Sequence, residues 1–209
     1  MNIRDTLLEE HSKAQCHKIV AYIGNNQERF NELAALFLYD EYRVAQRAAW
    51  PLSYCVAAHP GLIKKLLKKI VLNLKKTGIH NAVKRNTVRL LQEIDIPENL
   101  HGAVMDICFA YVADPKEAVA VKAFSLSVLG SLARQYPEII PEIKLLIEEQ
   151  LPHQTAAFAS RAKKVLNEMK GKSSKNQITR DKEQEPKKFQ MQIRNSKSET
   201  RRNTGNTKE

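Results

Sequence analysis

Residues 121–132 read Val121-Lys122-Ala123-Phe124-Ser125-Leu126-Ser127-Val128-Leu129-Gly130-Ser131-Leu132. Val121, Ser125, Leu129 and Leu132 stand at offsets 0, 4, 8 and 11, which share one face of an α-helix. The same face recurs as Val44, Ala48, Leu52 and Cys55, as Val83, Thr87, Leu91 and Ile94, and as Phe158, Ala162, Leu166 and Met169. The four leading residues are 39, 38 and 37 positions apart. A fixed period of this length marks stacked supersecondary units. The small residue at offset 4 marks the place where neighbouring helices approach closely.

Each of these helices is preceded by another apolar stripe. In the second unit it is Leu62-Ile63, Leu66-Leu67, Ile70-Val71 and Leu74. In the third it is Leu100, Val104, Ile107-Cys108 and Tyr111, and in the fourth Ile139-Ile140, Ile143 and Leu146-Ile147. The first has Phe30, Leu33 and Leu36-Phe37. Pro60, Pro97 and Pro137 follow three of the second helices, where proline stops one helix and opens the next. Ser12 is placed to cap a helix over residues 13–23, and Gly24 to end it. With a short helix near residues 3–9 this makes an atypical fifth pair, as expected where a stack must cover its terminal apolar face.

A period near 38 resembles the HEAT and armadillo repeats. The third unit carries the resemblance most closely, with Asp114-Pro115, Val121-Lys122 and Leu129-Gly130-Ser131-Leu132. The second follows with Val83-Lys84 and Leu91-Gln92-Glu93-Ile94. The first and fourth depart from it, because Ala45 and Ala159 stand where a basic residue usually follows the anchor. The resemblance, to a small bacterial-type HEAT repeat protein, covers roughly residues 27–170. It implies an all-α fold, a right-handed α-α superhelix of about five helix pairs, with the second helices lining a concave surface.

Composition separates body from tail. Residues 172–209 hold 11 Lys/Arg against 5 Asp/Glu, a balance of +6, while residues 1–171 hold 23 against 18, or +5. The tail's large apolar residues are Ile178, Phe189, Met191 and Ile193, too few to offset an ordering entropy of ~1–2 kcal/mol per residue. We therefore expect a helical-repeat domain over 1–171 and a disordered basic tail over 172–209. Cys16, Cys55 and Cys108 are odd in number and set among apolar residues, which suggests reduced, buried thiols rather than a disulfide framework. The first residues lack the basic-then-apolar run of a secretory leader, and no stretch nears 18 apolar residues. Both point to a cytoplasmic protein without membrane insertion.

If offsets 0, 4, 8 and 11 face the core, offsets 2, 3, 6, 9 and 10 face away. That exposes Arg47, Trp50 and Tyr54 in the first unit, with Gln46 and Ser53. It exposes Arg85 and Arg89 in the second, with Asn86, Gln92 and Glu93. Phe124 follows in the third, with Ala123, Ser127, Gly130 and Ser131, and Arg161 and Lys164 in the fourth, with Ser160, Asn167 and Glu168. Arginine forks suit carboxylates and phosphates, and aromatic faces suit stacking. An acidic protein or peptide segment is the first partner class, and nucleic acid, aided by the tail, the second. The bland alternative is that the aromatics are wedged between helices and the arginines are solvated. Pro51, inside one of these helices, removes a hydrogen bond to the Arg47 carbonyl and predicts a kink. Lys64, Lys65, Lys68 and Lys69, extended by Lys75 and Lys76, form a separate basic stripe. It is either a solvated face or a site for nucleic acid or an acidic membrane surface.

No catalytic constellation stands out. The glycines are scattered, so no phosphate loop exists. There is no His-Glu-x-x-His and no Cys-x-x-Cys, and neighbouring Cys16 and His17 do not readily share a metal. The chain is about half the length that helical lyases of the fumarase type need, and it lacks their Gly-Ser-Ser-x-Met-Pro loop. The HEAT-like alkylpurine DNA glycosylases need a carboxylate among groove aromatics. Here that would be Glu93 or Asp95 beside Trp50 and Tyr54, with no matching motif. The expectation is a non-enzymatic scaffold with no cofactor, no metal and no evident small-molecule substrate.

Overall fold

The structure, a computed structural model, describes residues 1–169, and among these it contains helices and turns but no strand. The expected tail over 172–209 lies outside the described residues. Ten α-helices follow in order: α1 Ile3–Glu9, α2 Lys13–Ile23, α3 Gln27–Tyr39, α4 Tyr42–Ala58, α5 Leu67–Asn73, α6 Asn81–Leu90, α7 Glu98–Ala113, α8 Val119–Leu132, α9 Ile140–Gln150 and α10 over 156–169. Residues Met1–Leu166 form one compact unit, described below, and the last three described residues of α10 fall in a second, Asn167–Glu209.

The caps are those the sequence implies. Ser12 Oγ accepts the Gln15 amide at 3.1 Å at the start of α2. Gly24 ends that helix with φ +49° and donates its N–H to the Val20 carbonyl. A residue with a Cβ would be strained in that backbone conformation. Asn2 and Asn26 cap α1 and α3 in the same way as Ser12.

Along the chain, α1 packs on α2, α3 on α4 and α7 on α8. Second helices stack as α2 on α4, α4 on α6 and α6 on α8, and first helices as α1 on α3, α5 on α7 and α7 on α9. Neither layer can bury its apolar stripe alone, so each pair depends on its neighbours for a core. At offsets 0 and 4, Val44, Ala48, Val83, Thr87, Val121, Ser125, Phe158 and Ala162 are all buried. The register of the repeat is therefore the register of the core, and burying each leucine or isoleucine there contributes about 1.5–3 kcal/mol.

Two expectations need correction. The first helix of the second unit is not continuous over 62–74. Pro60–Ile63 form a 3-10 turn, and α5 begins only at Leu67, without a side-chain cap. Lys64/Lys68 and Lys65/Lys69 are like charges at i, i+4, and residues 42–92 contain no carboxylate to offset them. Likewise α6 ends at Leu90, so Ile94 sits half-buried in the turn beyond it. Helix α4 continues through Pro51, which is buried, and Ser53 Oγ donates to the Trp50 carbonyl at 2.8 Å.

Candidate binding surface

The second-helix layer brings part of the expected set together. Trp50 and Tyr54, one turn apart on α4, meet edge to face with centroids 6.3 Å apart. Arg89 of α6 reaches back over the Tyr54 ring, its Cζ 5.1 Å from the centroid. From α2, His17 meets Tyr54 at 5.7 Å, and His11, just before α2, meets Trp50 at 5.7 Å. The Trp50 indole, followed by the Arg89 guanidinium, favours the phenolate and holds Tyr54 below the ordinary tyrosine range. The cluster is thus cationic and aromatic, with Trp50, Tyr54 and Arg89 half-buried and His11 and His17 exposed. An arginine held over a ring keeps its planar fork ordered while its edge stays available to an acceptor.

Phe124 and Arg161 make a second, smaller group. Arg161 lies over the Phe124 ring at 5.9 Å and donates to Ser127 Oγ at 3.0 Å. Arg85 and Lys164 are exposed, with no hydrogen bond or ion pair among the described residues. Arg47 departs from the set. Its guanidinium donates to the carbonyls of Leu7 and Leu8 at 2.8 and 3.0 Å, where α1 ends. It caps the terminal helix and is committed to the fold. Ser53, Asn86 and Gly130, also expected to face outward, are buried. The neighbouring second helices cover both flanks of each middle helix, which leaves a narrower outward strip than offsets alone suggest.

Carboxylates do not join the aromatic pair. Glu93 and Asp95 are exposed in the turn after α6, and no hydrogen bond or ion pair joins either to Trp50 or Tyr54 among the described residues. Beside Trp50 and Pro51 a crevice of about 10 Å³ opens toward His11 and Cys16, room for one water at most. Burial pushes the Cys16 thiol up to about 11, with Arg89 partly opposing. Among the described residues no group of three His, Cys, Asp or Glu could hold a metal ion.

The basic residue after the anchor has a structural role that the sequence reading missed. Lys84 Nζ reaches Glu117 Oε2 in the next unit at 2.6 Å, and Lys122 Nζ reaches Gln150 Oε1 at 2.7 Å. Glu117 stands four residues before Val121, and the matching position four before Val83 is Ile79. Between the first and second units the rung is therefore absent, with Ala45 in the place of the lysine and Ile79 in the place of the glutamate. Both line a cavity of about 160 Å³ together with Tyr42, Asn73, Lys76 and His80. The departure at Ala45 was visible in the sequence, but the space it leaves was not.

Charge is concentrated around this gap. From Tyr42 to Gln92 the chain has 11 Lys/Arg and no Asp or Glu. That equals the whole formal excess of +11, so the remainder of the chain sums to zero.

A family model described as HEAT repeat domain matches residues 3–169, most of the chain. No curated protein and no solved structure matches it.

Proposed function

We infer function from the premise that this chain belongs to the HEAT repeat domain family. Such a chain is a helical-repeat scaffold, and we propose that it acts without catalysis, binding an acidic protein or peptide segment along its second-helix face. The observation that supports this reading best is Arg89 held over Tyr54, with Trp50 at the ring's edge and no carboxylate among the described residues joined to the cluster. Arg85, one turn earlier on α6, adds an exposed charge that pairs with no carboxylate among the described residues. Pre-ordered forks lower the entropic cost of holding carboxylates, and flat aromatics add contact area at small rotamer cost.

Trp50 is the one tryptophan of the chain and therefore reports on this face alone. Titrating the full chain with a glutamate-rich peptide should shift its fluorescence to saturation. The Arg85→Gln/Arg89→Gln variant should bind at least about tenfold more weakly, the loss expected for two charge-assisted contacts. Equal affinity in the variant would remove the face from consideration.

Nucleic acid is the second reading, favoured by the acid-free stretch around Arg85 and Arg89. It predicts retention of duplex or single strands at ~50 mM salt and a steep loss of affinity as salt rises. Failure to retain either at that salt rejects it.

A further inference from the structure

Six lysines on α5 and in the turns that flank it belong to the first-helix layer, and the reading above does not use them. Lys64, Lys65, Lys68, Lys69, Lys75 and Lys76 are all exposed, and none pairs with a carboxylate among the described residues. Like charges crowded around a seven-residue helix disfavour it, by ~0.2–0.5 kcal/mol for each i, i+4 pair, so concentrating them has a local cost. A solvated face needs no such concentration. Mixed charges would serve solubility without that cost.

Two further features accompany the lysines. Lys69 and Leu72 are one turn apart on α5, and Asn73 and Lys76 line the cavity beside them. Leu72 is 42% exposed, and Tyr42 is 61% exposed. Tyr42 lines the cavity left by the missing rung, and Leu72 directly precedes Asn73, which lines it too. Asn73 lines it, is 8% exposed, and its side-chain amide has no hydrogen-bond partner among the described residues. At about 160 Å³ the cavity is far larger than the ~10–15 Å³ that admits a single water, so a phosphate group fits.

These features distinguish one polyanion from another. Single-stranded nucleic acid is gripped by successive stacking aromatics interleaved with planar forks, whereas here one exposed tyrosine accompanies six lysines. A protruding leucine gains nothing from a row of phosphates. At a headgroup boundary the same leucine reaches acyl chains, a tyrosine sits at the interface, and flexible lysine stems keep their ammonium groups among the headgroups. We propose that this face docks on the surface of an anionic lipid bilayer, with Leu72 at the acyl boundary and the neighbouring cavity taking a headgroup phosphate.

The test is co-sedimentation of the full chain with phosphatidylcholine vesicles, alone or with about one-third phosphatidylserine, the anionic charge that attracts polybasic surfaces. The chain should bind the anionic vesicles and not the neutral ones. Lys68→Glu/Lys69→Glu should weaken binding more than about tenfold, and Lys68→Gln/Lys69→Gln should act in the same direction with little risk to folding. Leu72→Ser should weaken binding several-fold. Arg85→Gln/Arg89→Gln, on the other layer, should leave it unchanged, which separates this inference from the peptide-binding reading. Ala45→Lys/Ile79→Glu installs the missing rung without altering net charge and should also weaken binding by filling the cavity. The segment over 172–209 is common to every arm. Equal binding of neutral and anionic vesicles, or of wild type and both lysine variants, overturns the proposal. So does displacement from the vesicles by duplex nucleic acid at matched phosphate, which would assign the face to nucleic acid. Unchanged binding by Ala45→Lys/Ile79→Glu overturns the assignment of the cavity to a headgroup.

Discussion

Lys84 Nζ lies 2.6 Å from Glu117 Oε2, across the boundary between the second and third units. The Glu117 side chain is almost fully buried, and its second oxygen accepts the Ala118 amide at 2.9 Å. Lys84 also sits 5.2 Å above the Tyr111 ring, whose hydroxyl donates to the Leu74 carbonyl at 3.2 Å. One side chain thus ties α6 to the turn before α8 and to α7. Removing it strands a carboxylate in a site that cannot hydrate it. We expect Lys84→Ala to cost about 3 kcal/mol and Glu117→Gln less, since the amide keeps an acceptor. Lys84→Met/Glu117→Leu should recover most of the loss. Urea midpoints of the four proteins check this, and additive losses would mean the two residues do not interact.

What could be read in advance follows from what is local. Val44, Val83, Val121 and Phe158 are buried at the expected offsets because a helix face is a property of spacing. Ser12 and Gly24 act on backbone groups within four residues, so their roles were visible too. The role of Arg47 leaves no periodic trace, because its acceptors, the Leu7 and Leu8 carbonyls, are 40 and 39 residues away. Asn86 was placed outside, yet it is buried and satisfies itself by donating to the Ala82 carbonyl at 2.8 Å. Its offset of 3 from Val83 predicts exposure, but the neighbouring helices cover that position and a hydrogen bond one turn back removes the cost of burial. The pairing of Arg89 with Tyr54 depends on how α6 crosses α4, which no single-helix pattern encodes.

Leu91 tests the register directly. It is 3% exposed at the end of α6 and occupies offset 8 of the second unit. Leu91→Ala should destabilise the chain by about 2–5 kcal/mol, because stacked helices collapse only partly around the space left. An unchanged melting curve would contradict the assignment of offset 8 to the core.

Gly130 allows α8 and α10 to approach closely. A Cβ built there would lie 2.9 Å from Val165 Cγ1 and 3.5 Å from its Cγ2. Val165 is buried and β-branched, so few rotamers can yield. Gly130→Ala should therefore cost about 1–3 kcal/mol despite its higher helix propensity. Adding Val165→Ala should relieve the overlap, so that the double variant is less unstable than the summed singles. Denaturation of all four proteins reads the coupling, and strict additivity would argue against contact.

Thr87 offers the opposite sign. Its Oγ1 is buried without a hydrogen-bond partner among the described residues. Thr87→Val keeps the shape and removes the stranded hydroxyl, so we expect about 1 kcal/mol of added stability. A lower urea midpoint would show that the hydroxyl is satisfied in solution.

The buried thiols predict alkaline lability. Burial pushes Cys16 up to about 11, and Cys55 and Cys108 up to about 12. In the unfolded chain these groups ionise near ~8.5, the ordinary thiol value. Between that pH and the folded values the unfolded state has lost protons that the native state retains. Stability contributed by each thiol is therefore complete below pH ~8.5 and declines above it, by up to about 1.4 kcal/mol per pH unit. Lys122 works against this trend, because burial lowers its pKa and favours the folded state as pH rises toward the ordinary lysine value. Comparison with Cys108→Ala isolates one thiol from that background. Urea midpoints measured from pH 8 to about 10.5, spanning the unfolded thiol range, should fall less steeply in the variant than in the wild type. Below pH 8 the same thiols should resist a disulfide reagent in the folded chain and react in denaturant, since attack requires an accessible thiolate. Parallel slopes with pH, together with prompt labelling of the native protein, would show that these cysteines are open to solvent.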